Sequence, residues 1–137
     1  MNCEKELTIL IPCLDEATTI SVCIGSAKKL LSDHNINGEV LVSDNGSTDD
    51  SREVSERTGA RVVMCATKGY GAALQSGVNN AFGEYILMGD ADDSYHFDEA
   101  FPMIERQRRG YDVCMGNRFS GKIMPGAMPF LHKYLGN

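Results

Sequence analysis

Three carboxylates, Asp90, Asp92 and Asp93, follow directly on the apolar run Tyr85-Ile86-Leu87-Met88-Gly89. The run reads as a buried strand. A strand end carrying that much negative charge is costly unless a cation binds there. Hard divalent ions such as Mg2+ or Mn2+ take oxygen ligands, and they bridge one or two carboxylates to the phosphates of a substrate. In open α/β sheets, ligands sit outside the carboxyl ends of the strands. Asp90-Ala91-Asp92 therefore points to a metal-assisted site for a phosphorylated substrate, and a solvated acidic turn is the alternative.

Other phosphate chemistries fit the chain less well. A dinucleotide fingerprint needs GxGxxG after the first strand, where this chain has Pro12-Cys13-Leu14-Asp15-Glu16. Gly69-Tyr70-Gly71 is followed by Leu74 where a glycine is required, and there is no P-loop. An EF-hand loop fails at Tyr95 and Phe101, its sixth and twelfth positions. Asp90, Asp92 and Ser94 together are similar to the nucleophile motif of haloacid-dehalogenase-type phosphatases. That resemblance implies a lysine and a second acidic pair well downstream, and little of the chain remains after Asp93 to supply them.

The elements that must position these residues alternate. Leu7–Ile11 is a continuous, partly β-branched apolar run and reads as a buried parallel strand. A helix follows, with Ala17, Ile20, Cys23, Ile24, Ala27, Leu30 and Leu31 on its apolar face. Val40–Val42 is the second strand and ends at Ser43-Asp44-Asn45-Gly46. Ser47 or Thr48 is expected to cap a polar helix with Asp49 and Asp50 in its first turn, where the helix dipole favours them, and Gly59 stops it. Arg61–Cys65 is the third strand. Gly71–Phe82 is the third helix, with Leu74, Val78, Ala81 and Phe82 turned inward. Tyr85–Met88 is the fourth strand. Pro102 opens a short helix ending in Arg106, Arg108 and Arg109, and Tyr111–Met115 is the fifth strand. This order predicts an α/β fold, a doubly wound and mainly parallel sheet with helices on both faces.

The chain of 137 residues fits a single domain, 1–137. No apolar run approaches the ~20 residues that span a bilayer, and no basic-then-apolar leader opens the chain, so a cytoplasmic place is expected. Five cysteines with no CxxC spacing and three scattered histidines argue against zinc. Cys13, Cys65 and Cys114 fall in expected strands and Cys23 on a helix face, as small buried hydrophobes would. Residues 1–104 hold seven Lys and Arg against seventeen Asp and Glu, which argues against a nucleic-acid partner. Residues 105–137 hold six against two, and that basic end could face phosphates or an anionic membrane surface.

Taken in order, the strand-end segments resemble family 2 glycosyltransferases of the GT-A fold. Leu10-Ile11-Pro12-Cys13-Leu14-Asp15-Glu16 resembles their opening, and Val42-Ser43-Asp44-Asn45-Gly46-Ser47-Thr48-Asp49 looks like their nucleotide-base loop. Lys68-Gly69-Tyr70-Gly71-Ala72-Ala73 looks like their glycine-rich helix start, and Asp90-Ala91-Asp92 is similar to their DxD metal motif. Met115-Gly116-Asn117-Arg118-Phe119 followed by Pro125-Gly126-Ala127-Met128-Pro129 most resembles the polyprenol-phosphate (dolichol-phosphate) mannosyl- and glucosyltransferase branch.

The resemblance implies a Rossmann-like, nucleotide-sugar-binding half. Pro12 and Leu14 would form an apolar wall for the base, Glu16 would hold a base or ribose donor, and Val42 would flank the loop. Asp44 would accept the imide N–H of the base. Lys68 would belong to the nucleotide-sugar site, and Arg118 would bind phosphate in a bidentate manner. Asp90 and Asp92, with Ala91 between them, would hold Mg2+ or Mn2+ on the diphosphate. The donor would be UDP-glucose-like or GDP-mannose-like, and the acceptor a polyprenyl phosphate at the inner face of a membrane. A saccharide hydroxyl acceptor is one alternative, and an inactive nucleotide-sugar binding module is another. No catalytic residue is assigned, because the family places its base beyond the position of Asn137.

The chain departs from the family at Asp15, where Asn is usual, and at Asp93 and Ser94, where the mannosyltransferase branch often has apolar and amide residues. The family continues past Asn137, so a truncated donor half is expected. Residues 121–137, with Phe130 and Leu135, are expected to form a mobile tail or a contact between copies in a homo-oligomer.

Overall fold

The computed structural model of the chain describes residues 4–117. Arg118 and the expected tail, 121–137, lie outside the described residues. The elements run β1 (Lys5–Cys13), α1 (Ile20–Asp33), β2 (Gly38–Asp44), α2 (Ser51–Thr58), β3 (Arg61–Met64), α3 (Tyr70–Asn80), β4 (Gly83–Met88), a 3-10 turn (Phe97–Glu99) and α4 (Phe101–Arg108). The four strands form one parallel sheet in the order β3-β2-β1-β4.

Strand β1 is buried from Leu7 to Cys13 because it lies between two strands and under helices on both faces. Its odd residues, Leu7, Ile9, Ile11 and Cys13, join Ile20, Cys23, Ile24, Ala27 and Leu30 of α1 in the main core. Its even residue Leu10 lies under α3, where a Cβ added at Gly77 would run into the Leu10 side chain. Helices thus cover both faces, and the sheet is doubly wound. After β3 the chain passes back across the sheet through α3 to reach the far side of β1. The switch in strand order lies between β1 and β4, and their carboxyl ends open onto one crevice.

Several expectations need correction. Tyr111–Met115 forms no strand, so the described sheet has four strands and not five. Among the described residues nothing pairs with it, and Tyr111, Val113 and Met115 are 59%, 73% and 86% exposed. An alternating sequence makes a strand only where a neighbour completes its hydrogen bonds. Cys114 is consequently half-buried and outside any strand. In α3 the inward positions are Ala73 and Gly77, whereas Val78 and Phe82 are exposed. The helix packs so closely on β1 that only small residues fit beneath it. Helix α2 begins at Ser51, not after Ser47 or Thr48, and the Asp49 carboxylate accepts the Ser51 N–H at 2.9 Å. Ala17 likewise precedes α1 and is not part of it.

A polar network closes the other end of the sheet. Glu39 at the start of β2 accepts from Arg61 Nε at 2.9 Å, Thr8 Oγ1 at 2.9 Å and the Phe82 N–H at 3.0 Å. Arg61 also donates to the Asn80 carbonyl and lies over the Phe82 ring. Burial alone would raise the Glu39 carboxyl, but the donors from Arg61, Phe82 and Thr8 outweigh it and hold it below the usual value. Among the described residues no helix is long and apolar enough to cross a membrane.

Candidate functional site

The crevice at the β1–β4 switch holds a cavity of about 230 Å3. The end of β1 and its loop supply Pro12, Cys13, Leu14 and Glu16 to its wall. Asn45 enters from the end of β2, Tyr70 and Ala73 from α3, and Asp90, Ala91 and Asp92 from the end of β4.

Local chemistry explains how each group arrives there. The last ladder bond of β4 is the Gly89 N–H to the Leu10 carbonyl, at 3.2 Å. A Cβ at Gly89 would lie 2.6 Å from two atoms of the Phe97 ring, so only glycine lets the chain pass over Phe97 and release Asp90 into the crevice. The Thr19 hydroxyl, at the N-cap of α1, donates to the Ala91 carbonyl at 2.6 Å and fixes the middle of the acidic turn. Asp92 accepts the Ser94 N–H at 3.0 Å. The Ser94 hydroxyl, and then its N–H, hold the Asp92 carboxyl below the usual range, so it is a carboxylate at neutral pH. Asp90 Oδ1 accepts the Tyr70 hydroxyl at 2.8 Å.

On the opposite wall, Asp15 adopts the left-handed region with φ 56°. Its carboxylate accepts the Thr48 N–H at 2.7 Å, and its own N–H donates to Ser47 Oγ at 3.0 Å. The Glu16 N–H donates to Ser51 Oγ at 2.8 Å. These bonds fasten the loop after β1 to the loop after β2 and present Leu14 and Glu16 to the cavity. Burial pushes the Cys13 thiol up, so at neutral pH it is a protonated wall residue and not a nucleophile.

Of the residues singled out from sequence, Pro12, Leu14, Glu16, Asp90, Ala91 and Asp92 share this one cavity. Val42, Asp44 and Lys68 do not line it. Val42 is in the main core. Asp44 is wholly buried, and its carboxylate accepts the Gly46 N–H at 3.1 Å and the Ser47 N–H at 3.2 Å, with Arg52 Nε at 3.9 Å. It shapes the turn that the next residues make. Lys68 Nζ donates to the Asn45 carbonyl at 3.3 Å. Arg118 lies outside the described residues.

Sequence reasoning passed over Asn45 and Tyr70. Asn45 donates to the Thr67 carbonyl at 2.7 Å and accepts the Gly69 N–H at 2.8 Å, so it ties the end of β2 to the start of α3. Its signal was an amide between Asp44 and Gly46 at a strand end. For Tyr70 the signal was an aromatic hydroxyl held between two glycines.

The cavity wall carries the acidic side chains Glu16, Asp90 and Asp92, and among the described residues no Lys or Arg lines it. A diphosphate would be repelled from such a wall unless a cation came with it. Among the described residues no group of three or more His, Cys, Asp and Glu converges as a full metal cage. Two carboxylates with open coordination positions fit a hard cation that shares its ligands with substrate phosphates, the usual manner of Mg2+ binding.

Comparison with known proteins agrees with this geometry. Residues 8–135 match the family model described as glycosyl transferase family 2. The chain is 42% identical over 132 residues to the low-salt glycan biosynthesis hexosyltransferase Agl6 of Haloferax volcanii, covering 96% of this chain and 32% of that protein. It is 38% identical over 128 residues to glycosyltransferase AglJ of the same organism, covering 91% and 40%. The chain thus spans well under half the length of these two relatives. A crystal structure of glucosyl-3-phosphoglycerate synthase from Mycobacterium tuberculosis with Mn2+, UDP and glucosyl-3-phosphoglycerate superposes with a TM-score of 0.57 at 28% identity, over 64% of this chain and 34% of that one. Its fold is the GT-A type. A parallel sheet that ends in a crevice of carboxylates, and a family match running almost end to end, lead to one conclusion: the chain belongs to glycosyltransferase family 2.

Proposed function

We propose that this chain is the donor-binding half of a hexosyltransferase, which holds a nucleotide-sugar and a divalent cation and passes the hexose to a polyprenyl phosphate. One observation carries the reading: Asp90 and Asp92 face Pro12, Leu14 and Glu16 across a single cavity at the switch point of the sheet. Support for the donor comes from the mycobacterial synthase, whose crystal structures contain UDP, UDP-glucose and Mn2+.

In this reading Pro12 and Leu14 pack against the base. The Asp44 carboxylate serves base recognition by holding the Asn45–Ser47 turn, and Glu16 takes a ribose hydroxyl. When bound on Asp90 and Asp92, Mg2+ or Mn2+ neutralises the charge that develops on the departing diphosphate. A phosphate monoester has its second pKa near ~6, so the acceptor is already largely an anion at neutral pH. Its oxygen forms the new bond to the anomeric carbon, the bond from that carbon to the nucleoside diphosphate breaks, and the electron pair leaves with the diphosphate. The carbon inverts, and no proton has to be removed from the nucleophile. A second cavity of about 650 Å3, lined in part by Ser94, Phe97, Met103 and Met115, adjoins the acidic turn and suits the apolar chain of such an acceptor.

Calorimetric titration with UDP-glucose and GDP-mannose, each with Mn2+ or with EDTA, tests the donor. Binding of one of them in Mn2+ and much weaker binding in EDTA is expected. Transfer of labelled hexose to polyprenyl phosphate, but not to the free polyprenol or a saccharide, tests the acceptor. Transfer to the saccharide alone would overturn the acceptor assignment.

A further inference from the structure

Tyr70 is 62% exposed, yet its hydroxyl is not spent on solvent. It donates at 2.8 Å to Oδ1 of Asp90. Among the described residues it is the only donor to that carboxylate, and none reaches Oδ2. The hydrogen bond is placed from behind. Tyr70 is the first residue of α3, and the preceding Gly69 N–H is held at 2.8 Å by Asn45 Oδ1. Asn45 is itself anchored to the Thr67 carbonyl at 2.7 Å and, through its own N–H, to the Cys13 carbonyl at 2.9 Å. A continuous set of bonds therefore runs from the ends of β1 and β2, through the start of α3, to one oxygen of the acidic turn.

We infer that Tyr70 is a positioning residue for the cation: it fixes the Asp90 carboxylate through Oδ1 and leaves Oδ2 turned to the metal. This rests on the reading of Asp90 and Asp92 as cation ligands. The physical reason is general. A carboxylate free to rotate loses entropy on binding a metal, and one oriented beforehand by a hydrogen bond does not. Partners of this kind typically contribute ~10–100-fold in metal affinity. The arrangement also couples the two halves of the donor. A nucleotide that orders the Asn45 loop orders Gly69 and Tyr70 with it, so base and cation reinforce each other's binding.

The test is calorimetric titration of the parent chain, Tyr70→Phe and Asp92→Asn with UDP and GDP, each in Mn2+ and in EDTA. Tyr70→Phe keeps the ring and removes only the donor. The expected result is a loss of about 10-fold or more in nucleotide affinity in Mn2+ and parent-like affinity in EDTA, which also shows that the variant is folded. Equal or tighter binding in Mn2+ would overturn the inference. An equal loss in Mn2+ and EDTA would overturn it too, since Tyr70 would then touch the nucleotide or support the fold. If the parent chain itself binds without regard to Mn2+, the metal reading fails and this inference fails with it. If the parent and Asp92→Asn differ in Mn2+ while Tyr70→Phe matches the parent, this inference alone fails.

Discussion

Thr19 and Ala91, 72 residues apart in sequence, are joined by a 2.6 Å hydrogen bond from the Thr19 hydroxyl to the Ala91 carbonyl. The donor is at the entrance to α1 and the acceptor is the middle residue of the acidic turn. Through this bond the helix that packs on one face of the sheet sets the height at which Asp90 and Asp92 stand in the crevice. Thr19→Val keeps the shape and leaves a buried carbonyl without its donor. The expected cost is ~1–3 kcal/mol in urea unfolding, together with weaker nucleotide binding in Mn2+. Parent-like values in both measurements would show that the turn holds itself.

Gly77 faces Leu10 of β1, which is wholly buried and cannot withdraw. Gly77→Ala gains about 1 kcal/mol of helix propensity but forces a methyl group into that side chain, and overpacking costs ~1–3 kcal/mol. The net expectation is a lower urea midpoint with an unchanged slope. A raised midpoint would mean that α3 can move off the sheet without penalty.

The Glu39 network predicts a pH dependence with a definite sign. The folded Glu39 carboxyl lies below its unfolded value near ~4.3. Its contribution to stability is therefore complete above about pH 4.3 and is lost as the pH falls through the lower, folded value. Glu39→Gln should destabilise the fold at neutral pH and flatten the part of the acid limb that lies below that point. Parallel acid limbs for parent and variant, followed by urea unfolding between pH 7 and pH 3, would contradict the network's role.

Much of the site was legible because strand ends are. Leu7–Ile11 announced β1 by its unbroken apolar run, and the same logic put Asp90 and Asp92 at the end of β4 beside it. What escaped reading depended on neighbours. Tyr111–Met115 has the alternation of a strand, but strand formation needs a partner that the segment's own residues cannot reveal. Val78 and Phe82 looked inward by hydrophobicity, whereas the close approach of α3 to β1 selected Ala73 and Gly77. Asp44 looked like a ligand group, and the residue types and spacing around it did not show that its carboxylate also accepts the N–H groups of Gly46 and Ser47. Side-chain types at a turn do not say whether the turn or a ligand will use them.

The proposed function turns on Asp90 and Asp92 holding a cation on the diphosphate of a nucleotide-sugar. Asp92→Asn removes one charge and one ligand while keeping an acceptor for the Ser94 N–H, so the turn should survive. Titration of parent and variant with a nucleoside diphosphate in Mn2+ and in EDTA measures the claim directly. The expected result is about a tenfold or greater loss of affinity in Mn2+, which is ~1.4 kcal/mol, and little difference in EDTA. Equal affinity of parent and variant in Mn2+ would contradict it.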